Sequence, residues 1–130
     1  FISLEKRAEM ANNLHCDIFV SVHYNSAPAK QADGIEVFFY RDAPEKGRVA
    51  ASKLLAQLVL NKVIKNTEAK SRGVKHGDLS VIRNTKMPAI LVEGGFLTND
   101  EEMQKLKDPN YLKRVAWGIA QGIHDYLGKH

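Results

Sequence analysis

Two residues able to do chemistry close two apolar runs. His23 ends the stretch Asp17-Ile18-Phe19-Val20-Ser21-Val22 and is followed by Tyr24 and Asn25; Glu93 ends Ala89-Ile90-Leu91-Val92 and is followed by Gly94-Gly95-Phe96. Short β-branched runs of this kind read as strands buried on both faces. Side chains alternate along a strand, so Ile18, Val20 and Val22 share one face, and Phe19, Ser21 and His23 the other. A carboxylate at the end of a buried strand is costly unless it is paired, bound to metal or open to a cleft. One imidazole and one carboxylate brought to a common sheet edge suit a metal site with a general base. Open α/β sheets place their ligands at such strand ends. The two glycines let the backbone turn sharply and approach a ligand closely. Ser21 and His23 lie two apart on one face, with Cα atoms roughly 7 Å apart. That is poor spacing for a nucleophile and its base.

The elements that must hold these groups follow from periodicity. Ser3 reads as the cap of a helix in which Leu4, Ala8, Ala11 and Leu14 share a face, with Arg7 and Asn12 off it. Residues 34–40 read as a strand with Ile35, Val37 and Phe39 on one face and Glu36 turned out as a solvated edge residue. After a turn over 42–48 comes a long helix with Ala51, Leu54, Leu55 and Leu58 as its buried stripe. Residues 66–77 read as a basic loop around Gly73, and 79–83 as a short strand. Thr98-Asn99-Asp100-Glu101 has the capping-box pattern and opens a helix through Leu106. Pro109 starts the last helix, whose Tyr111, Val115, Ile119, Ile123 and Leu127 are expected to pack on the sheet. The order predicts one three-layer α/β domain over residues 1–130, with a mixed, mostly parallel twisted sheet and helices on both faces.

Composition narrows the function classes. A chain of 130 residues, 44% hydrophobic and 26% charged, suits one globular domain. No apolar run is long enough to span a bilayer, so no membrane insertion is expected. A net charge of +4 favours anionic surroundings. No arginine-rich stripe with interleaved aromatics points to nucleic acid. The single cysteine, Cys16, cannot form an internal disulfide and reads as a small buried residue. His15, His76, His124 and His130 read as solvated.

Several separated motifs agree with one family. Leu4-x-x-Arg7-x-x-x-Ala11-Asn12, Asp17-x-Phe19-Val20-Ser21-Val22-His23-Tyr24-Asn25, Gly34-Ile35-Glu36-Val37, Arg72-Gly73-Val74-Lys75 and the run from Pro88 to Asn99 stand in this order. Together they closely resemble the zinc-dependent N-acetylmuramoyl-L-alanine amidases of the type 3 family. The resemblance implies a hydrolase with one catalytic zinc that cuts the amide between N-acetylmuramic acid and L-alanine in peptidoglycan. It implies a cell wall lytic role, outside the cell at the wall or in the periplasm. It makes His23 a zinc ligand and Glu93 the catalytic glutamate, passing a proton from the attacking water to the leaving amine.

The family's other two zinc ligands precede the region matching Leu4. The chain is therefore expected to be an N-terminally truncated domain that lacks two of three ligands and binds zinc weakly or not at all. Loss of an early strand would leave apolar faces and a sheet edge open to oligomerisation. Asn25, Arg72, Lys75 and Arg83 are the substrate-binding candidates, the three cations as partners for stem-peptide carboxylates. Two rival readings stay open: a non-catalytic peptidoglycan-binding module, and a zinc peptidase acting on ordinary peptides.

Overall fold

A computed structural model describes residues 2–25 and 32–128, Asn25 by its backbone alone. The strands are β1 (Phe19–Asn25), β2 (Ile35–Phe39), β3 (Ser71–His76) and β4 (Ala89–Phe96), in the sheet order β1-β4-β2-β3. β1 pairs parallel to β4, β2 parallel to β3, and β2 antiparallel to β4. The sheet is mixed and mostly parallel, as the sequence predicts. The helices are α1 (Leu4–Asn13), α2 (Lys46–Thr67), α3 (Ser80–Arg83), α4 (Asp100–Leu106) and α5 (Pro109–Gly128).

The pleat divides the core in two. Ile35, Val37, Ile90 and Val92 point to one face, where they meet Leu55, Val59 and Val63 of α2. Burying each such aliphatic side chain contributes roughly 1.5–3 kcal/mol. Ala89 and Leu91, with Phe19 and Phe38, point to the other face and pack on Val81 and Ile82 of α3. α1 joins this second side, where Asn12 donates to the Asn84 carbonyl and accepts from the Lys86 amide.

α2 buries more than the expected stripe. Leu55 is buried as predicted, but Ser52, Ala56, Val59, Leu60 and Val63 complete the set. The reason is that α2 packs on both the sheet and α5 and must present apolar surface to each. α5 packs chiefly on α2, and its Tyr111, Val115 and Ile119 join the same buried cluster as the sheet residues Ile90 and Val92. Gly118 and Gly122 set that distance: a Cβ at Gly118 would lie 2.7 Å from the Val63 Cα, and one at Gly122 would meet Val59 in the same way. Leu127, expected in the buried stripe, is exposed, and Tyr126 is buried instead.

Five other sequence expectations are corrected. Residues 71–76 form β3 rather than loop: an edge strand needs pairing on one side only and is often polar and lysine-bearing. Residues 80–83 form one helical turn rather than a strand, a choice that so short an apolar run cannot make by periodicity. β1 is not buried on both faces: among the described residues it is, like β3, an edge strand of the sheet, and Val22 is 45% exposed. In α1, Ala8 and Ala11 are buried but Leu4 and Leu14 are exposed. That helix is capped by Ser3, which accepts from the Lys6 amide at 3.1 Å. It closes with His15 at φ 52°, where the His15 and Cys16 amides return to the Asn12 and Ala11 carbonyls. Cys16 at this junction is half-buried rather than buried.

Candidate functional site

One row of ionisable side chains crosses the sheet on the α3 face. His23 of β1 is the register partner of Glu93 on β4. Glu93 is in turn the partner of Glu36 on β2, and Glu36 of Gly73 on β3. Direct cross-strand partners have Cβ atoms about 4.5–5.5 Å apart. The row lies at the carboxyl ends of β1 and β4 and the amino ends of β2 and β3, because the central pair is antiparallel.

His23 points back along its strand. Its Nε2 lies 2.9 Å from the Ser21 Oγ. This corrects the expectation that their spacing keeps them apart. Side chains on one strand face lean along the strand, and an imidazole is long enough to span the gap. The buried hydroxyl thereby fixes the ring's orientation.

Glu93 is 9% exposed, and its Oε2 is buried with no hydrogen-bond partner among the described residues. Burial, reinforced by the neighbouring Glu36 charge, pushes its carboxyl up to about 7. A carboxyl poised there takes or gives a proton near neutral pH.

Glu36 was expected to be a solvated edge residue. It is instead 4% exposed, on an interior strand between β4 and β3. Its Oε2 accepts from Arg72 Nε at 3.1 Å and from Lys75 Nζ at 2.8 Å. Residues three apart on a regular strand face opposite ways. Here a bulge between Ile35 and Glu36, with Gly73 at φ 87°, resets the alternation so that both cations reach one carboxylate. The Arg72 guanidinium also lies 4.9 Å from the centre of the Phe96 ring.

The substrate-binding candidates divide. Arg72 and Lys75 stand in the row, each tied to Glu36. Arg83 is on α3, outside the strands of the row, and pairs with Asp78. Asn25 pairs through its backbone with Phe96, and its side chain lies outside the described residues.

Gly94 does not turn the chain, since β4 continues through Phe96. It makes room instead: a Cβ there would sit 2.7 Å from the Tyr24 ring.

The sequence reading missed Glu36 as part of the site. The signal was present, because a glutamate inside Ile35–Phe39 raises the same burial question as Glu93, and Arg72 and Lys75 were available to answer it. It also passed over Glu102 of α4. This residue is 4% exposed, and its Oε1 accepts from the Gly34 amide at 2.6 Å and the Phe96 amide at 3.4 Å. α4 itself starts one residue later than expected, with Asn99 as cap, accepting from the Glu102 amide at 3.1 Å.

A catalytic zinc takes three protein ligands and a water. Among the described residues no group of three or more His, Cys, Asp or Glu side chains converges to hold a metal. His23 and Glu93 alone do not make up such a donor set. Among the same residues, no helix is long and apolar enough to cross a membrane.

Comparison with known proteins gives a consistent match. The family model described as N-acetylmuramoyl-L-alanine amidase matches residues 1–125. An uncharacterized cell wall amidase of Bacillus anthracis is 39% identical over 126 residues, covering 95% of this chain and 24% of that protein. An endolysin of Bacillus phage SPP1 is 39% identical over 127 residues, covering 98% of this chain and 46% of that protein. The chain thus spans less than half the length of these two relatives. The crystal structure of an N-acetylmuramoyl-L-alanine amidase from Clostridium difficile 630 superposes with a TM-score of 0.91 at 38% identity, covering 98% of this chain and 67% of that one.

Proposed function

The chain belongs to the N-acetylmuramoyl-L-alanine amidase family, and from that premise we propose that it hydrolyses the amide between N-acetylmuramic acid and L-alanine in peptidoglycan. The observation that carries the reading is Glu93: a buried carboxyl with one oxygen unpaired among the described residues, pushed up to about 7, in register with an imidazole. In this role Glu93 is the general base that takes the proton of an attacking water and returns it to the leaving amine. Ser21 holds the His23 ring. Arg72 and Lys75, braced by Glu36, face the peptide side of the substrate as partners for its carboxylates. Asn25 and Arg83 remain candidates for outer contacts.

Zinc dependence is part of the same proposal, with His23 as one ligand. The remaining ligands would come from outside the described residues. Action at the cell wall and self-association through the open edge of β1 also belong here.

The test is release of stem peptide from purified wall, with zinc supplied. The wild-type chain should generate new peptide amino termini and Glu93→Gln should lose about 10²–10⁴ of that rate. A wild-type chain that holds zinc and sediments with wall but releases nothing would support the non-catalytic binding module and sink the hydrolase reading.

A further inference from the structure

The proposed mechanism leaves one buried carboxylate without a task. Glu102 sits in the first turn of α4, three residues after the cap Asn99. A glutamate there commonly reaches back to the cap's own amide. Here that amide goes to the Phe96 carbonyl instead. Glu102 turns inward, where one oxygen, Oε1, accepts from the amide of Gly34 at 2.6 Å and that of Phe96 at 3.4 Å. Gly34 immediately precedes β2, and Phe96 is the last residue of β4.

Those two strands carry the facing pair Glu36 and Glu93. Glu36 lies two residues after Gly34, and Glu93 three before Phe96. Gly34 is built to present its amide. Its φ is 103°, and a Cβ would lie 2.5 Å from the Lys70 carbonyl oxygen, so only glycine fits. The Phe96 ring meanwhile backs the Arg72 guanidinium that holds Glu36. The contacts of Glu102 therefore converge on the geometry of the two carboxylates without touching either.

We propose that Glu102 is a positioning residue for Glu93: its buried carboxylate clips the entry of β2 to the exit of β4 and so fixes where the Glu93 carboxyl stands. The inference deepens the hydrolase reading and rests on it for its catalytic half. Two amides from different strands meet on one buried oxygen, at 2.6 and 3.4 Å, which suits a clip that must hold against strand fraying. A displacement of about 1 Å at a reacting group can cost on the order of a hundredfold in rate.

The test uses three variants of the full chain. Glu102→Ala removes the acceptor, and Glu102→Gln keeps a carbonyl oxygen there. Gly122→Ala, at the distant α2–α5 contact, serves as a control for lost stability alone. On wall peptidoglycan with zinc supplied, Glu102→Ala should lose about a hundredfold in kcat with KM nearly unchanged. Glu102→Gln should recover to within about threefold of wild type, and Gly122→Ala should keep its kcat below its melting temperature.

A second readout needs no turnover. In amide NMR spectra, Glu102→Ala should shift the Glu93 and Gly94 cross-peaks and speed hydrogen exchange at Gly34 and Phe96. Gly122→Ala should do neither, and Glu102→Gln should lie near wild type. An inactive wild-type chain with these spectral changes would defeat the hydrolase reading and uphold the clip. Unmoved Glu93 and Gly94 peaks in Glu102→Ala or, where the wild type is active, a kcat loss no greater than in Gly122→Ala, would overturn the clip.

Discussion

At the scale of single residues, Glu93 is held at a cost to the fold. Its carboxyl is pushed up from 4.5 to about 7, first by burial and then by Glu36. A raised acid binds its proton more tightly folded than unfolded, so the native state holds more protons between those two values. Stability must then fall as pH rises from about 4.5 to about 7, and the loss is complete above that window. At 1.36 kcal/mol per tenfold change in proton affinity, the full cost is about 3 kcal/mol. Glu93→Gln, which stays neutral, should therefore unfold at higher denaturant than wild type at pH 8, by up to about 3 kcal/mol, and show little gain at pH 4. Urea melts at the two pH values check this; equal gains at both would refute the assignment. His23 and Glu93 were legible because each is a lone ionisable group closing an apolar run. Glu36 raised the same question but was under-read, because its place on an interior strand depended on β3 being a strand. The Ser21 contact was hidden for another reason: it is set by a side-chain rotation, which residue spacing does not encode.

At the scale of elements, two glycine positions decide how the pieces meet. Gly122 lets α5 approach the backbone of α2 at Val59. A methyl group there must push the helices apart, and overpacking of this kind costs about 1–3 kcal/mol. Gly122→Ala should lower stability by that amount in a urea melt, and an unchanged midpoint would mean the helices are not in backbone contact. Gly73 poses a different demand. Nothing lies near its missing Cβ, but its φ of 87° is hard for other residues. Gly73→Ala should cost about 1–2 kcal/mol and relax the bulge that gathers Arg72 and Lys75 on Glu36. Loss of both ion pairs in a crystal structure of the variant would show this, and retention of both would argue against the bulge as the gathering device. The long amphipathic elements could be read from the sequence because their periodicity extends over several turns. α2 was under-read because a helix packed on two sides has no single stripe. β3 was missed because it reads as a polar, basic run, and its Arg72 and Lys75 find their partner in Glu36 on the neighbouring strand.

At the scale of the whole molecule, what matters is what the sheet leaves open. β1 ends the strand order, with β4 as its sheet neighbour. Val22 on it is exposed, and so are Ile2, Leu4, Met10 and Leu14 on and around α1. An apolar region beside an open strand edge is a template for another chain. The net charge of +4 opposes association between copies, and salt screens that repulsion. Sedimentation velocity should therefore show a species heavier than monomer whose share grows with protein concentration and again between about 0.05 and about 0.5 M salt. Placing a lysine on the edge counters both the pairing and the apolar contact. Val22→Lys should be monomeric under the same conditions and, because the side chain is already half in water, should change stability by no more than about 0.5 kcal/mol. If wild type and Val22→Lys sediment identically as monomers at every concentration and salt, the edge of β1 does not recruit a second copy, and the exposed patch on α1 needs a different explanation.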